Sequence, residues 1–289
     1  MKPAPFEYAA PRTLDGVIEQ LRQHGDDAKV LAGGQSLMPM LNMRLARPSV
    51  VVDINRVAGL DRVAEEDGTI RLGALVRQRA LERWAASRVP LIAAALRLVG
   101  HIAIRTRGTV AGSLSHADPA AELPALFLCL DGVAVARSHA GVREVRAAEL
   151  FLGPLTTSLR SDELLTEMRW PLPPAGAGWG FHEVARRHGD FALVGVAALV
   201  TLAAGHIQSA RIALFGAGPT PVRAHAAERA LTAARPSAAL ARDAARFVAE
   251  GLTPNADLHA SAGYRTSVAR TLTERALTDA LGRAQDDRP

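Results

Sequence analysis

The sequence has 289 residues, 48% of them hydrophobic and 22% charged, which excludes a disordered chain and leaves room for two or three domains. The formal net charge is +5, yet Lys2 and Lys29 are the only lysines, the arginines are spread along the chain rather than blocked and aromatics total 4%, so the basic, aromatic-interleaved stretches of nucleic-acid binders are excluded. A single cysteine, Cys129 in "ALFLCLDG", excludes a disulfide framework and any iron–sulfur cluster held by this chain alone, because such clusters use about four thiolates.

In chain order, "TLDGVIEQLRQHG" places Leu14, Val17, Ile18 and Leu21 on one helical face, with Thr13 as N-cap and Gly25 as the stop. "KVLA" predicts a short strand that runs into a glycine turn, "AGGQS". A second short helix and the apolar run "SVVVDI" follow, the latter suited to a strand buried on both faces. Residues 1–56 are therefore expected to form a small βαβ unit. "TIRLGA" alternates as a strand, and helices are expected over 76–86 and 90–99. "RTRGTVAGSLSHADPAAELP" reads as a second glycine-containing loop, "VAVARS" and "VREVR" as a hairpin, and "DELLTEMRWPLP" as a strand closed by proline. Residues 57–178 are thus α+β with antiparallel pairing. "PLPPAGAGWG" is the linker, and 179–289 forms the last unit. In it, two strands turn at Gly205, a helix is expected to open with Thr220 as cap and Pro221 in its first turn, and helices follow over 237–250 and 262–284.

Several chemistries fail on inspection. "GQSLM" begins as a nucleophile elbow but has Met38 where the final glycine is required. "SHAD" puts Ser115, His116 and Asp118 close in sequence, whereas a triad needs spatial geometry, and two ligating side chains do not make a metal site. "GAGPTP" lacks the third glycine of a dinucleotide fingerprint. No export signal or apolar run of about 18 residues is visible, so a cytoplasmic protein is expected.

Two segments survive, Ala32–Ser36 and Thr109–Ser113, each rich in small residues at the end of an apolar stretch. Small residues let a backbone approach a ligand, and successive amides pointing one way form an anion-binding nest. Two facing nests suit a diphosphate, with Gln35, Ser36, Thr109 and Ser113 adding side-chain hydrogen bonds. Two unrelated structural turns are the simpler alternative.

"VLAGGQSLMPMLNMRLARPSVVVDINRV" and "IRTRGTVAGSLSHADPAAELPA", followed in order by "FHEVARRHGDFALVGVAA", "FGAGPTPVRAHAAERAL" and "SAGYRTSVARTLTERAL", resemble the FAD-binding medium subunit of molybdenum hydroxylases, of the aerobic carbon monoxide dehydrogenase and xanthine dehydrogenase type. The resemblance spans nearly the whole chain. It implies an α+β fold: a p-cresol methylhydroxylase/vanillyl-alcohol-oxidase-type FAD domain of two subdomains, and a smaller C-terminal α/β domain. It further implies that Ala32, Gly33, Gly34, Gln35, Ser36 and Leu37, entered through Val30 and Leu31, cradle the diphosphate together with Thr109, Val110, Ala111, Gly112 and Ser113. Glu122, with Asp118 as a neighbouring candidate, would meet sugar hydroxyls. Leu165 would pack on the isoalloxazine, His182 would lie near the ring and Phe191 would close one face. Leu165 and Phe191 also suit core positions, and His182 an exposed strand position.

This sequence departs from the pattern at Ala111, where the second segment has a glycine in the family, and at Glu122, where an aspartate is usual. An alanine would be costly at position 111 if positive φ were needed there. By the same resemblance, electrons arrive from [2Fe–2S] clusters of a small partner subunit and leave to an external acceptor. A large molybdopterin subunit hydroxylates the substrate, no side chain of this chain is assigned as acid or base, and the assembly is a dimer of heterotrimers. A free-standing FAD oxidoreductase and a flavin-less scaffolding subunit are the alternatives.

Overall fold

The computed structural model describes residues 1–286. The chain begins with β1 (Glu7–Ala9), α1 (Leu14–His24), β2 (Ala28–Leu31), α2 (Leu37–Asn42) and β3 (Val50–Asp53). The three strands form a parallel sheet in the order β1-β3-β2. Thr13 caps α1 by accepting the Gly16 amide at 3.2 Å, and Gly25 ends the helix at φ +51°. Val17, Ile18 and Leu21 bury one face of the helix, and central β3 buries Val50, Val51 and Val52.

A five-stranded antiparallel sheet follows, in the order β4-β5-β10-β6-β7. Its strands are β4 (Val63–Glu66), β5 (Thr69–Gly73), β6 (Val133–Ser138), β7 (Gly141–Arg146) and β10 (Leu164–Pro171). Between β5 and β6 lie α3 (Gln78–Ala85), α4 (Pro90–Leu98), α5 (Ile102–Arg107), α6 (Val110–His116) and α7 (Glu122–Cys129). A short α8 (Ala147–Leu150) and the pair β8 (Phe151–Gly153) and β9 (Thr156–Thr157) precede β10. The segment expected to be a loop over 105–124 is therefore largely helical. Two local interactions account for this. Thr109 caps α6 by accepting the Gly112 amide at 3.1 Å, and buried Arg105 bonds Glu82 at 3.0 Å and the carbonyls of Val99 and Gly100, which seats α5.

The last part is a four-stranded antiparallel sheet, β11 (Gly178–Ala185), β12 (Ala192–Ala203), β13 (His206–Phe215) and β14 (Val222–Arg223), with helices α9 (His225–Leu231), α10 (Ala238–Arg246) and α11 (Ala262–Asp286). The helix expected to open at Thr220 instead begins at His225. Arg223 is held extended by ion pairs to Asp131 and Glu228, each 2.6 Å, so Val222 and Arg223 pair with β13 as an edge strand. One face of the sheet packs under α9, α10 and α11 around Val196, Ile212, Leu214 and Leu277. The opposite face contributes Phe181, Ala197, Leu199, Ala213 and Phe215 to the core formed by the preceding elements.

Cys129 closes α7 at that junction, fully buried, with its Sγ 3.7 Å from the carbonyls of Ala197 and Arg211. Burial pushes its thiol up to about 12. Because the thiolate is the reactive form, Cys129 should resist a thiol reagent at mildly alkaline pH until urea unfolds the chain. Stoichiometric labelling of the native protein would contradict this placement.

Candidate functional site

β2 ends at Leu31, whose carbonyl accepts the Ile54 amide at 3.1 Å, and the chain then turns through Ala32–Ser36 into α2. The paired glycines serve different needs. Gly34 has φ +74°, a left-handed conformation that costs glycine little. Gly33 permits contact: a Cβ on it would stand 2.5 Å from the Arg107 carbonyl oxygen, 2.8 Å from Gly108 Cα and 3.0 Å from the Thr109 amide nitrogen. The two small-residue turns thus touch through their backbones. The five successive amides of Ala32 to Ser36 find no acceptor among the described residues, although all five residues are half-buried. Backbone donors removed from water need a partner, and a run of them pointing into a cleft suits an anion.

The second turn offers less than the sequence suggested. Gln78 donates its amide to the Gly108 carbonyl at 2.9 Å, and Val110 donates to Val76 at 3.0 Å, so 76–78 and 108–110 bridge in antiparallel fashion. The amides of Val110, Gly112 and Ser113 are all engaged, the last two by Thr109 as N-cap. Only Thr109 and Ala111 keep amides without an acceptor among the described residues. The expectation of two facing nests is corrected to one open row of amides against a capped helix start. Ala111 is buried in α6 and does not adopt positive φ, so alanine carries no strain there.

The other candidate residues divide by location. Val30 leads into the first turn on β2, Leu37 opens α2, and the Gln35 Nε2 donates to the Gly33 carbonyl at 3.1 Å. Asp118 accepts the Ala120 amide at 2.8 Å, stiffening the approach to α7. Leu165 is a core residue of β10, 3% exposed, whereas Phe191 is 63% exposed just before β12. His182 faces the C-terminal helix, its Nε2 3.0 Å from Asp279 Oδ2 on α11. Side chains alternate along a strand. Its neighbours Phe181 and Glu183 therefore lie on the opposite face, where Phe181 stacks on Phe215 at 5.8 Å. Glu183, one position along from the residue the sequence suggested, is thus the acid that β11 directs toward the core of the preceding elements.

Glu183 and Glu122 form an unusual pair of acids. Glu122 opens α7 and is 5% exposed; its burial, then the Glu183 carboxylate, then Asp118 push its carboxyl up to about 8. Burial pushes Glu183 up to about 7, and its Oε2 is buried without a partner among the described residues. Glu122 therefore holds its proton at neutrality and can donate a hydrogen bond, while Glu183 is poised to gain or lose its proton there. Sequence reasoning also missed Asn55 and Arg77, which border the turns. Asn55 lies within the family-like stretch but carries no chemical signature of its own there, Arg77 lies outside every such stretch, and only the fold brings both to the turns. Among the described residues, no three His, Cys, Asp or Glu side chains gather as a metal site, and no helix is long and apolar enough to cross a membrane.

A family described as the FAD-binding domain in molybdopterin dehydrogenase matches residues 4–173, and the CO dehydrogenase flavoprotein C-terminal domain matches 179–280. The chain belongs to this flavoprotein family. It is 42% identical to the alpha subunit of the 6-hydroxypseudooxynicotine dehydrogenase complex of Paenarthrobacter nicotinovorans, over 99% of this chain and 97% of the relative. It is 34% identical to the carbon monoxide dehydrogenase medium chain of Hydrogenophaga pseudoflava, over 98% and 99% of the two chains. Among solved structures, carbon monoxide dehydrogenase from Hydrogenophaga pseudoflava matches with a TM-score of 0.95 at 36% identity, covering 98% of this chain and 99% of that one. Quinoline 2-oxidoreductase from Pseudomonas putida 86 matches with a TM-score of 0.93 at 38% identity and the same coverage. The molecule is an FAD-binding oxidoreductase subunit of the molybdenum-hydroxylase family, with the expected mixed α/β architecture.

The two acids predict a definite pH dependence. Their folded pKa values lie above the usual 4.5, so the native state binds more protons than the unfolded state between about pH 4.5 and 8. Stability is fully present below that window and falls as pH rises through it, by at most about 1.4 kcal/mol per pH unit for each group. In urea unfolding across this range, Glu122→Gln should flatten the fall. An unchanged slope would show that Glu122 is ionised in the folded protein.

Proposed function

We propose that the chain holds FAD by its diphosphate on the Ala32–Ser36 turn, closed by the Thr109–Ser113 segment, and serves as the electron outlet of a molybdenum hydroxylase. The observation that carries this reading is the row of five amides without acceptors, packed directly against the second turn. Diphosphate oxygens fit such donors, and the Thr109 hydroxyl, which accepts from Gly112, still has its own proton to donate. In this reading the protonated Glu122 is a donor for sugar hydroxyls, a role its length does not prevent, and Glu183 takes the place beside the ring first given to His182. Phe191, exposed at the end of the β11–β12 connection, is the side chain available to cover a flavin face.

When bound, FAD supplies the one- and two-electron redox chemistry, and the protein supplies position and electrostatics. With one buried cysteine the chain does not itself hold an iron–sulfur cluster. A small [2Fe–2S] subunit is therefore proposed as the electron donor and a large molybdopterin subunit as the site of substrate hydroxylation, assembled as a dimer of heterotrimers. Relatives covered almost end to end are named as an alpha subunit, a beta subunit and medium chains of dehydrogenases, which supports an assembly over a free-standing oxidase. Those relatives are named for 6-hydroxypseudooxynicotine, caffeine and carbon monoxide. Substrates so different, served by one subunit type, support substrate selection on another chain.

Gly33→Val tests the turn. Its side chain would collide with the backbone of Arg107 and Gly108, and a backbone cannot swing aside as a flexible side chain does. Purified wild-type chain should show flavin absorbance bands after FAD addition and gel filtration, whereas the variant should emerge colourless with its far-UV circular dichroism retained. A folded variant with stoichiometric flavin would refute the assignment of this turn.

A further inference from the structure

The two turns are joined by more than the contact at Gly33. Asn55, just beyond β3, donates its Nδ2 to the Ala32 carbonyl at 2.9 Å and to Asp53 Oδ1 at 2.6 Å. Its Oδ1 accepts from Arg77 Nη2 at 2.6 Å. Arg77, at the N-cap position of α3, sends its other terminal nitrogen, Nη1, to the Arg107 carbonyl. Asp53 secures the near end of this chain, accepting the Asn55 amide at 2.8 Å and the Tyr8 hydroxyl at 2.5 Å. One side-chain bridge thus runs from a carbonyl in the first turn to a carbonyl beside the second.

The peptide plane gives this bridge its significance. In a trans peptide the carbonyl oxygen and the following N–H point in opposite directions. Holding the Ala32 carbonyl therefore fixes where the Gly33 amide points. The Gln35 side chain does the same one residue on, because its bond to the Gly33 carbonyl fixes the Gly34 amide. A glycine pair has weak steric preferences, so these peptides rotate at little cost, and a flipped peptide would turn a carbonyl oxygen toward the anion. Burial, then the like charge of Arg107, lowers the Arg77 pKa while Asp53 and Asp61 oppose the shift, so the guanidinium sits partly desolvated among charges of both signs.

We propose that Asn55 is a positioning residue for the anion site, braced by Arg77: it holds the Ala32 carbonyl so that the Gly33 amide faces the diphosphate, and Arg77 sets the gap to the second turn. The inference rests on the FAD reading and deepens it. Neither residue needs to touch the cofactor, so the effect belongs to the diphosphate and not to the ring.

The test uses the full chain, with titration by FAD and separately by ADP, which carries the diphosphate without a flavin. Asn55→Ala should weaken both ligands by a similar factor, about ten- to a hundredfold, as expected when a hydrogen bond serving a charged ligand is lost. The absorbance spectrum at saturating FAD should match wild type, because the ring environment is untouched. Arg77→Lys, which keeps the charge but not the fork that spans both partners, should weaken both ligands by a smaller factor. Unchanged ADP affinity in both variants would overturn the inference, and so would loss of FAD binding without loss of ADP binding. A wild-type chain that binds neither ligand would instead overturn the FAD reading on which the inference rests.

Discussion

The absent Cβ of Gly33 is the constraint on which the site depends. Only a residue without a side chain lets the turn after β2 rest directly on the backbone of Arg107, Gly108 and Thr109. The first turn belongs to a small parallel sheet, the second to helices beside an antiparallel sheet, and the two meet backbone to backbone at Gly33. The arrangement is asymmetric. One side presents open amides, while the other has spent most of its amides on capping α6 and bridging 76–78. A capped helix start is rigid, so it serves as the fixed wall against which the more adaptable glycine turn is set.

Electrostatics follow the same division. Arg77 and Arg107 lie beside the turns, and burial, followed by the like charge of Arg107, lowers the Arg77 pKa against the opposing pull of Asp53 and Asp61. Burial raises both Glu122 and Glu183, so each carries less negative charge at neutrality than a solvated carboxylate would. Asp53, a carboxylate beside the first turn, is already committed to Tyr8 and Asn55.

What the sequence revealed and what it hid follow from the range of the interactions involved. The α1 cap at Thr13, its stop at Gly25, the βαβ start and the hairpin of β6 and β7 are local and were legible from residue type and spacing. The glycines of the first turn were legible as special, but their separate duties were not, because Gly33 answers to a segment more than seventy residues away. The second turn was misjudged as a loop since glycine and proline suggest breaks, whereas the Thr109 cap and the Arg105 anchor make helices of the same residues. The helix expected at Thr220 failed for a similar reason, with Arg223 drawn into an extended edge by Asp131 and Glu228. His182 shows how strictly a strand divides its faces. A shift of one residue moves a polar group from the FAD-domain side to α11, and no spacing rule reveals which face is which until the strand is packed.

The fold also explains how one subunit type can serve unlike chemistries. Structures named for carbon monoxide and for quinoline superpose on this chain with TM-scores of 0.95 and 0.93 at less than 40% identity. If this subunit shaped the substrate pocket, such different molecules would demand different walls, and the common framework would be hard to keep. If its task is instead to grip one cofactor, the demands are the same in every assembly: a glycine that admits a neighbouring backbone, amides aimed into a cleft, and a bridge that keeps them aimed. Those demands fall on backbone placement more than on side-chain identity. The overall fold can therefore persist through wide sequence change.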